Sequence, residues 1–167
     1  RNPEAVRVEE RQRDEIEAET IKVLGEKVSP EEVEAHFNNL PARYFRALPA
    51  DEIAGDIELV HEFFEQQILY NDRMLKPSVI WEEDLNRGCS SVGVCTWDRP
   101  GLFSRVTGVF AECGFNILSA QIFTREDSIV IDRFLLTDAR TGGLPGSGLR
   151  NIFSERLDET LKSEADL

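Results

Sequence analysis

Asp98-Arg99-Pro100-Gly101-Leu102 interrupts two apolar segments within TWDRPGLFSRVTGVFAECGFNIL, the stretch from Thr96 to Leu118. These residue types suit a strand-to-helix junction that could also hold a small anion. Asp98 stands where its carboxylate can cap the free N–H groups of a first helical turn. Pro100 suits the first helical position, because it lacks the N–H that would be orphaned there. Gly101 has no Cβ, so either its backbone is strained or something approaches it closely. A helix N-terminus presents unpaired N–H donors and partial positive charge, which suit a ligand carboxylate. Capping alone and ligand binding both account for these residues.

The other patterns with chemical potential are weaker. GLPGSG, residues 143–148, has the glycine spacing of a phosphate loop, but Leu149 and Arg150 stand where Lys and Ser/Thr are required. It reads as a flexible connection. His36 and His61 are the only histidines, and neither has a second ligand at helical spacing. Glu82, Glu83 and Asp84 read as a solvated hairpin tip rather than a cation site. Cys89, Cys95 and Cys113 fit neither an even disulfide framework nor a zinc spacing, so free thiols are expected. No nucleophile elbow or zinc-protease motif occurs, and no catalytic or metal-binding residue is assigned.

The elements that position the turn fall into two textures. Residues 1–75 carry no convincing strand and are expected to form a helical linker region. A helix over Glu4 to Gly25 is followed by SPEEVEAHFNNLP, where Ser29 is an N-cap, Pro30 the first helical residue, and Glu31 and Glu32 complement the dipole. A short turn, ARYFRAL, precedes the strongest helix. There Ile53, Ile57, Val60, Phe64 and Ile68 make an apolar stripe, with acids on the other face.

From residue 76 the pattern changes to β, β, α, β, β, α, with a boundary near residues 72–77. SVIW and SVGVCTW flank a hairpin bend, a helix runs from Gly101 to Gly114, and NILSAQIFT and IVIDRFLLTD are strands. A final helix carries Leu149, Ile152, Phe153, Leu157 and Leu161.

Composition bounds the function. The chain has 167 residues and a formal net charge of −13, from 32 acids against 19 bases. Such a field repels phosphate backbones and anionic membranes, so neither nucleic acid nor membrane is an expected partner. An RNA-binding sheet would need exposed aromatics in an RNP pattern and a basic face. No apolar run approaches membrane-spanning length, and no leader opens the chain. Its first residue is Arg1, which suggests a piece of a longer protein.

VGVCTWDRPGLFSRVTGVFAECGFNILSAQIFT is similar to the ACT domain, a regulatory module that commonly binds amino acids. The hallmark is an Asp-x-Pro-Gly-Leu turn, a helix, and an Asn-Ile strand, here Asp98 to Leu102 and Asn116-Ile117. DRPGLF with AQIFTRED and IDRFLLTD, preceded by PSVIW, resembles the first ACT domain of bacterial PII uridylyltransferase/uridylyl-removing enzymes. LPARYFRALPADEIAGDIELV resembles their preceding helical segment.

The resemblance implies an α+β fold: a helical segment over 1–75, then a ferredoxin-like ACT domain over 76–167 with a four-stranded antiparallel sheet and two helices on one face. A standard module is βαββαβ, yet only SEADL follows the last helix. Residues 78–83 are therefore expected to fill the vacated fourth-strand position, antiparallel to 90–97. The other sheet face would expose some of Gly93, Cys95 and Trp97, and self-association by sheet face or edge is expected to cover it.

The implied function is glutamine sensing in a cytoplasmic enzyme that uridylylates the nitrogen signal protein PII. Ligand would meet Asp98, Arg99, Pro100, Gly101 and Leu102 at the turn, and Asn116 and Ile117 on the following strand. The parent transferase would use Mg or Mn, and this segment no cofactor. An ACT fold that only docks domains, without ligand, remains the alternative.

Overall fold

The computed structural model describes residues 2–69 and 76–162. Most of the boundary expected near 72–77, and the tail SEADL at 163–167, lie outside the described residues. Helices α1 (Pro3–Leu24), α2 (Pro30–Asn39), α3 (Ala42–Ala47) and α4 (Ala50–Leu69) come first. They are followed by β1 (Ser78–Asp84), β2 (Cys89–Trp97), α5 (Leu102–Cys113), β3 (Phe115–Thr124), β4 (Ile129–Asp138) and α6 (Ser147–Lys162).

Local chemistry explains the helix ends. Asn2 caps α1, and Gly25 terminates it. Ser29 and Glu32 form a reciprocal capping box at the start of α2, with Pro30 in the first turn. Leu40 and Pro41 are extended, and they separate α2 from α3.

The sheet is antiparallel with strand order β1-β2-β4-β3. β1 occupies the edge beside β2, with Ser78 opposite Cys95 and Asp84 opposite Cys89. The expectation for residues 78–83 therefore holds, and the strand runs one residue further. Glu82, Glu83 and Asp84 lie in this strand rather than at a hairpin tip, and Glu83 pairs with Arg150 of α6 at 3.4 Å.

Helices α5 and α6 cover one face of the sheet. Val106, Val109, Phe110, Phe153 and Leu157 pack there against Val92, Val94, Val130, Phe134 and Leu136. The rings of Phe110 and Phe153 stack at 4.1 Å.

The opposite face is not open, contrary to the sequence-based expectation. Cys95 is fully buried in a second core made with α1–α4. Trp97 meets Phe63 edge-on at 5.6 Å. A Cβ at Gly93 would lie 3.0 Å from Leu59 Cδ2, so the bare glycine lets α4 seat on the sheet. The three residues expected to drive face-to-face association are already occupied by the chain's own helices.

This packing also corrects the face assigned to α4. Asp56, Leu59 and Phe63 are buried along with Ile53, Ile57 and Val60, whereas Ile68 is exposed. The helix is wedged between α1 and the sheet, so its buried surface is wider than one stripe.

Candidate functional site

Strand β2 ends at Trp97 and α5 begins at Leu102, leaving Asp98 to Gly101 as the connection. Asp98 N–H donates to Ser128 O at 2.8 Å, which pins the turn to the β3–β4 hairpin. Arg99 Nη1 donates to Leu161 O at 3.2 Å. That bond places a cation at the carbonyl end of α6, where the helix dipole favours it. Burial, and then the neighbouring Arg105, lower the pKa of Arg99.

The cap differs from the sequence-based expectation. Gly101 is the N-cap of α5, at φ +75°, and no side chain caps the helix. Asp98 does not close the first turn, and Pro100 precedes it. A Cβ at Gly101 would meet only Arg105 Nε at 3.7 Å, an ordinary contact. Glycine is needed for its left-handed backbone, not for close approach. Leu102 N–H donates to Arg99 O at 3.3 Å, but the next N–H groups of the turn have no intrahelical acceptor.

A cavity of about 230 Å³ opens at this uncapped end. It is lined by Asp98, Arg99, Gly101, Leu102, Phe103 and Ser104 on one side, and by Ile122, Thr124, Val130 and Asp132 of the sheet on the other. Its size is below the ~300–1,000 Å³ of drug-sized sites and suits a smaller molecule. A larger hollow of about 620 Å³ lies between α1 and the α3 region. Its cation Arg13 bonds the Phe37 carbonyl and sits over the Phe45 ring at 5.6 Å, which fastens α1 to the helices beneath it.

Of the residues proposed from sequence, five cluster at the turn and two do not. Asn116 and Ile117 open β3, opposite Thr137 and Leu136, whereas the mouth lies where Thr124 faces Val130 and Trp97 faces Ile129. At ~3.3 Å per residue, roughly 20 Å of strand separates Asn116 from Ile122. The cause is α5 itself: its 12 residues carry the chain ~18 Å back along the sheet before β3 begins.

Asp132 is the lining residue that sequence reading missed. It alternates with Ile131 and Arg133, so it shares the α5 face with Val130 and Phe134. An acid at an inward position of an apolar strand was the available signal. Burial, and then the charge of Asp98, push its pKa up to about 7.

Away from the turn, several titratable groups pair with one another. His36 Nε2 and the Tyr44 hydroxyl are 3.0 Å apart, and that hydroxyl donates to Asp56 Oδ2 at 2.6 Å. His61 lies between Glu32 at 2.7 Å and Glu65 at 3.1 Å. All three cysteines are free thiols, and burial raises the pKa of Cys95. No group of three or more potential metal ligands occurs among the described residues. No helix among them is long and apolar enough to cross a membrane.

The strand order, the paired helices and the Asp-x-Pro-Gly turn define a ferredoxin-like ACT fold, and residues 91–143 match the ACT domain. About four fifths of the chain is similar to a segment of bacterial bifunctional uridylyltransferase/uridylyl-removing enzymes. The enzyme of Vibrio campbellii is 29% identical over 133 residues, which are 80% of this chain and 14% of that protein. The enzyme of Aromatoleum aromaticum is 30% identical over 138 residues, 79% of this chain and 14% of its own length. That of Azospirillum brasilense is 38% identical over 65 residues, 39% of this chain and 7% of its own. The chain thus spans at most about a seventh of the length of these relatives.

Proposed function

We propose that this chain is the amino-acid-sensing regulatory module of a cytoplasmic PII uridylyltransferase/uridylyl-removing enzyme, with glutamine as its ligand. The observation that carries this reading is the cavity at the uncapped N-terminus of α5, bounded by Asp98, Arg99, Gly101 and Leu102. First-turn N–H groups would hold the ligand carboxylate. Catalysis would reside elsewhere in the parent protein, with Mg or Mn at its transferase centre. Ligand binding here would bias that centre between adding and removing UMP on PII.

The free edge of the sheet favours pairing of two copies. β3 is an edge strand, and Ile117, Leu118 and Ile122 are exposed along it. Such an edge invites a second strand. Asn116, opposite Thr137, lies on the face turned away from α5, whereas the mouth opens on the α5 face beside Val130 and Asp132.

The second reading, a ligand-free ACT-fold module for interaction and dimerisation, draws on the same exposed edge. A thermal-shift screen of the protein amino acids separates the two. The sensing reading expects glutamine to give the largest stabilisation; no shift with any amino acid favours the docking reading.

A further inference from the structure

The cavity at the turn contains a group that helix-start chemistry does not explain. Asp132 is 1% exposed, and its Oδ1 is buried without a hydrogen-bond partner among the described residues. Its cross-strand neighbours are Val94 and Ile122, and its neighbours along the same face are Val130 and Phe134. The hydroxyls of Thr96 and Thr124 stand on the same face beside Val130, yet no hydrogen bond reaches Oδ1. Around the mouth stand Asp98 and Arg99 of the turn and Arg105 of α5. Arg99 is directed to the Leu161 carbonyl of α6, and Arg105 lies over Gly101.

A buried carboxyl oxygen with no donor is costly, and such a group in a cleft beside another charge marks a functional-site candidate. The cavity also carries the opposite polarity, because the uncapped first turn of α5, Gly101 to Ser104, lines it. A lone cation would face the positive end of the helix, and a lone anion would face two carboxyl groups. Arg99 also lines the cavity, and a molecule bearing both charges a bond or two apart satisfies both walls.

We propose that Asp132 is the receptor for the ammonium group of the ligand, so that the site takes an α-amino acid as its zwitterion. This rests on the reading of the turn as an amino-acid site, and it adds the residue that enforces the α-amino group. The carboxylate sits on the N–H groups of α5, the ammonium on Asp132, and Asp98 closes the rim. Selectivity for amino acids over plain carboxylic acids then resides in β4 rather than in the turn.

A pH signature follows from the same arrangement. Asp132 titrates near pH 7 without ligand, and only its ionised form answers an ammonium group. Affinity is thus full above that range and falls by up to about tenfold per pH unit below it, as the competent fraction shrinks.

The test is titration calorimetry on the whole chain with glutamine and with glutaramic acid, which is glutamine without its α-amino group. The expected result is at least about tenfold tighter binding of glutamine, roughly 1.4 kcal/mol, and an affinity that declines from pH 8 to pH 6. Asp132→Asn, with folding checked by thermal melting, is expected to erase both the preference and the pH slope. An Asp132→Asn chain that keeps both overturns the inference and leaves the amino-acid reading standing. An unmodified chain that binds the two compounds equally, or with no pH slope, overturns it without need of the variant. An unmodified chain that binds neither overturns the inference and the amino-acid reading together.

Discussion

Arg133 of β4 forms an ion pair with Asp56 of α4, joining the sheet to the helical layer that covers its far face. Tyr44 of α3 donates to the other oxygen of Asp56, and His36 of α2 stands behind Tyr44. Four elements thus meet on one carboxylate. Burial raises the pKa of Asp56 despite Arg133 and Tyr44, so the carboxylate depends on these partners to stay ionised.

Removing one side of such a pair leaves the other charge buried and unanswered. Asp56→Ala is expected to destabilise the chain by about 3–5 kcal/mol in urea denaturation. Tyr44→Phe, which takes away a single hydroxyl, is expected to cost about 1–3 kcal/mol. Values within a few tenths of zero for both would show that the helical layer does not depend on this network.

His36 sets a pH dependence with a definite sign. Because the Tyr44 hydroxyl donates to Asp56, it accepts from His36 Nε2, and the imidazole is neutral. Burial, and then the charge of Arg125, hold its pKa at about 3. The unfolded chain takes up the proton from about pH 6.5 downward and the folded chain does not. This contribution is complete above 6.5 and is lost as pH falls, at up to about 1.4 kcal/mol per unit. Asp132 has the reverse slope, because its folded pKa is raised from 3.8 to about 7: its destabilisation is absent at pH 4 and complete above pH 7. The diagnostic quantity is the difference between the unmodified chain and His36→Gln, which should shrink steadily from pH 7 to pH 4.

Gly101 tests the turn by backbone strain. At φ +75° a side chain is disfavoured though the space beside it is open. Gly101→Ala is expected to cost about 1–2 kcal/mol, and Gly101→Asn less, since asparagine tolerates this region better. Equal losses for the two, read by chemical denaturation, would point to crowding instead.

Leu118 tests the free edge. It is 58% exposed on β3, next to the irregularity between Ile117 and Ser119 in the pairing with β4. The chain is expected to self-associate at roughly tens of micromolar, the range of weak complexes. Leu118→Lys should be monomeric by light scattering without loss of stability, as charge on an edge strand blocks pairing. A monomeric unmodified chain would remove pairing through this edge.

Much of the fold was legible because local signals were strong. Ser29-Pro30 marked a helix start, and the β-rich run SVIW marked the strand that pairs with β2. The covered far face was not legible, because a helical stripe reveals one buried side while α4 buries two. Asp56 therefore read as one of the acids on the far helix face, and nothing in the sequence marked Arg133 as its partner. The turn at Asp98 to Leu102 was readable from residue type, though Gly101 and not Asp98 proved to be the cap. The separation of Asn116 from the mouth was derivable from the length of α5. Asp132 was hidden by its neighbours, since Asp-Arg in sequence does not show that the two side chains leave opposite faces of the sheet.

The most direct measurement is calorimetric titration of glutamine into the intact chain and into Gly101→Val, whose branched side chain cannot adopt the left-handed turn. The account predicts saturable heat with the unmodified chain and at least about tenfold weaker binding by the variant, with the core of α1–α4 still folded. No heat with the unmodified chain, or equal affinity in the variant, would contradict an amino-acid site at this turn.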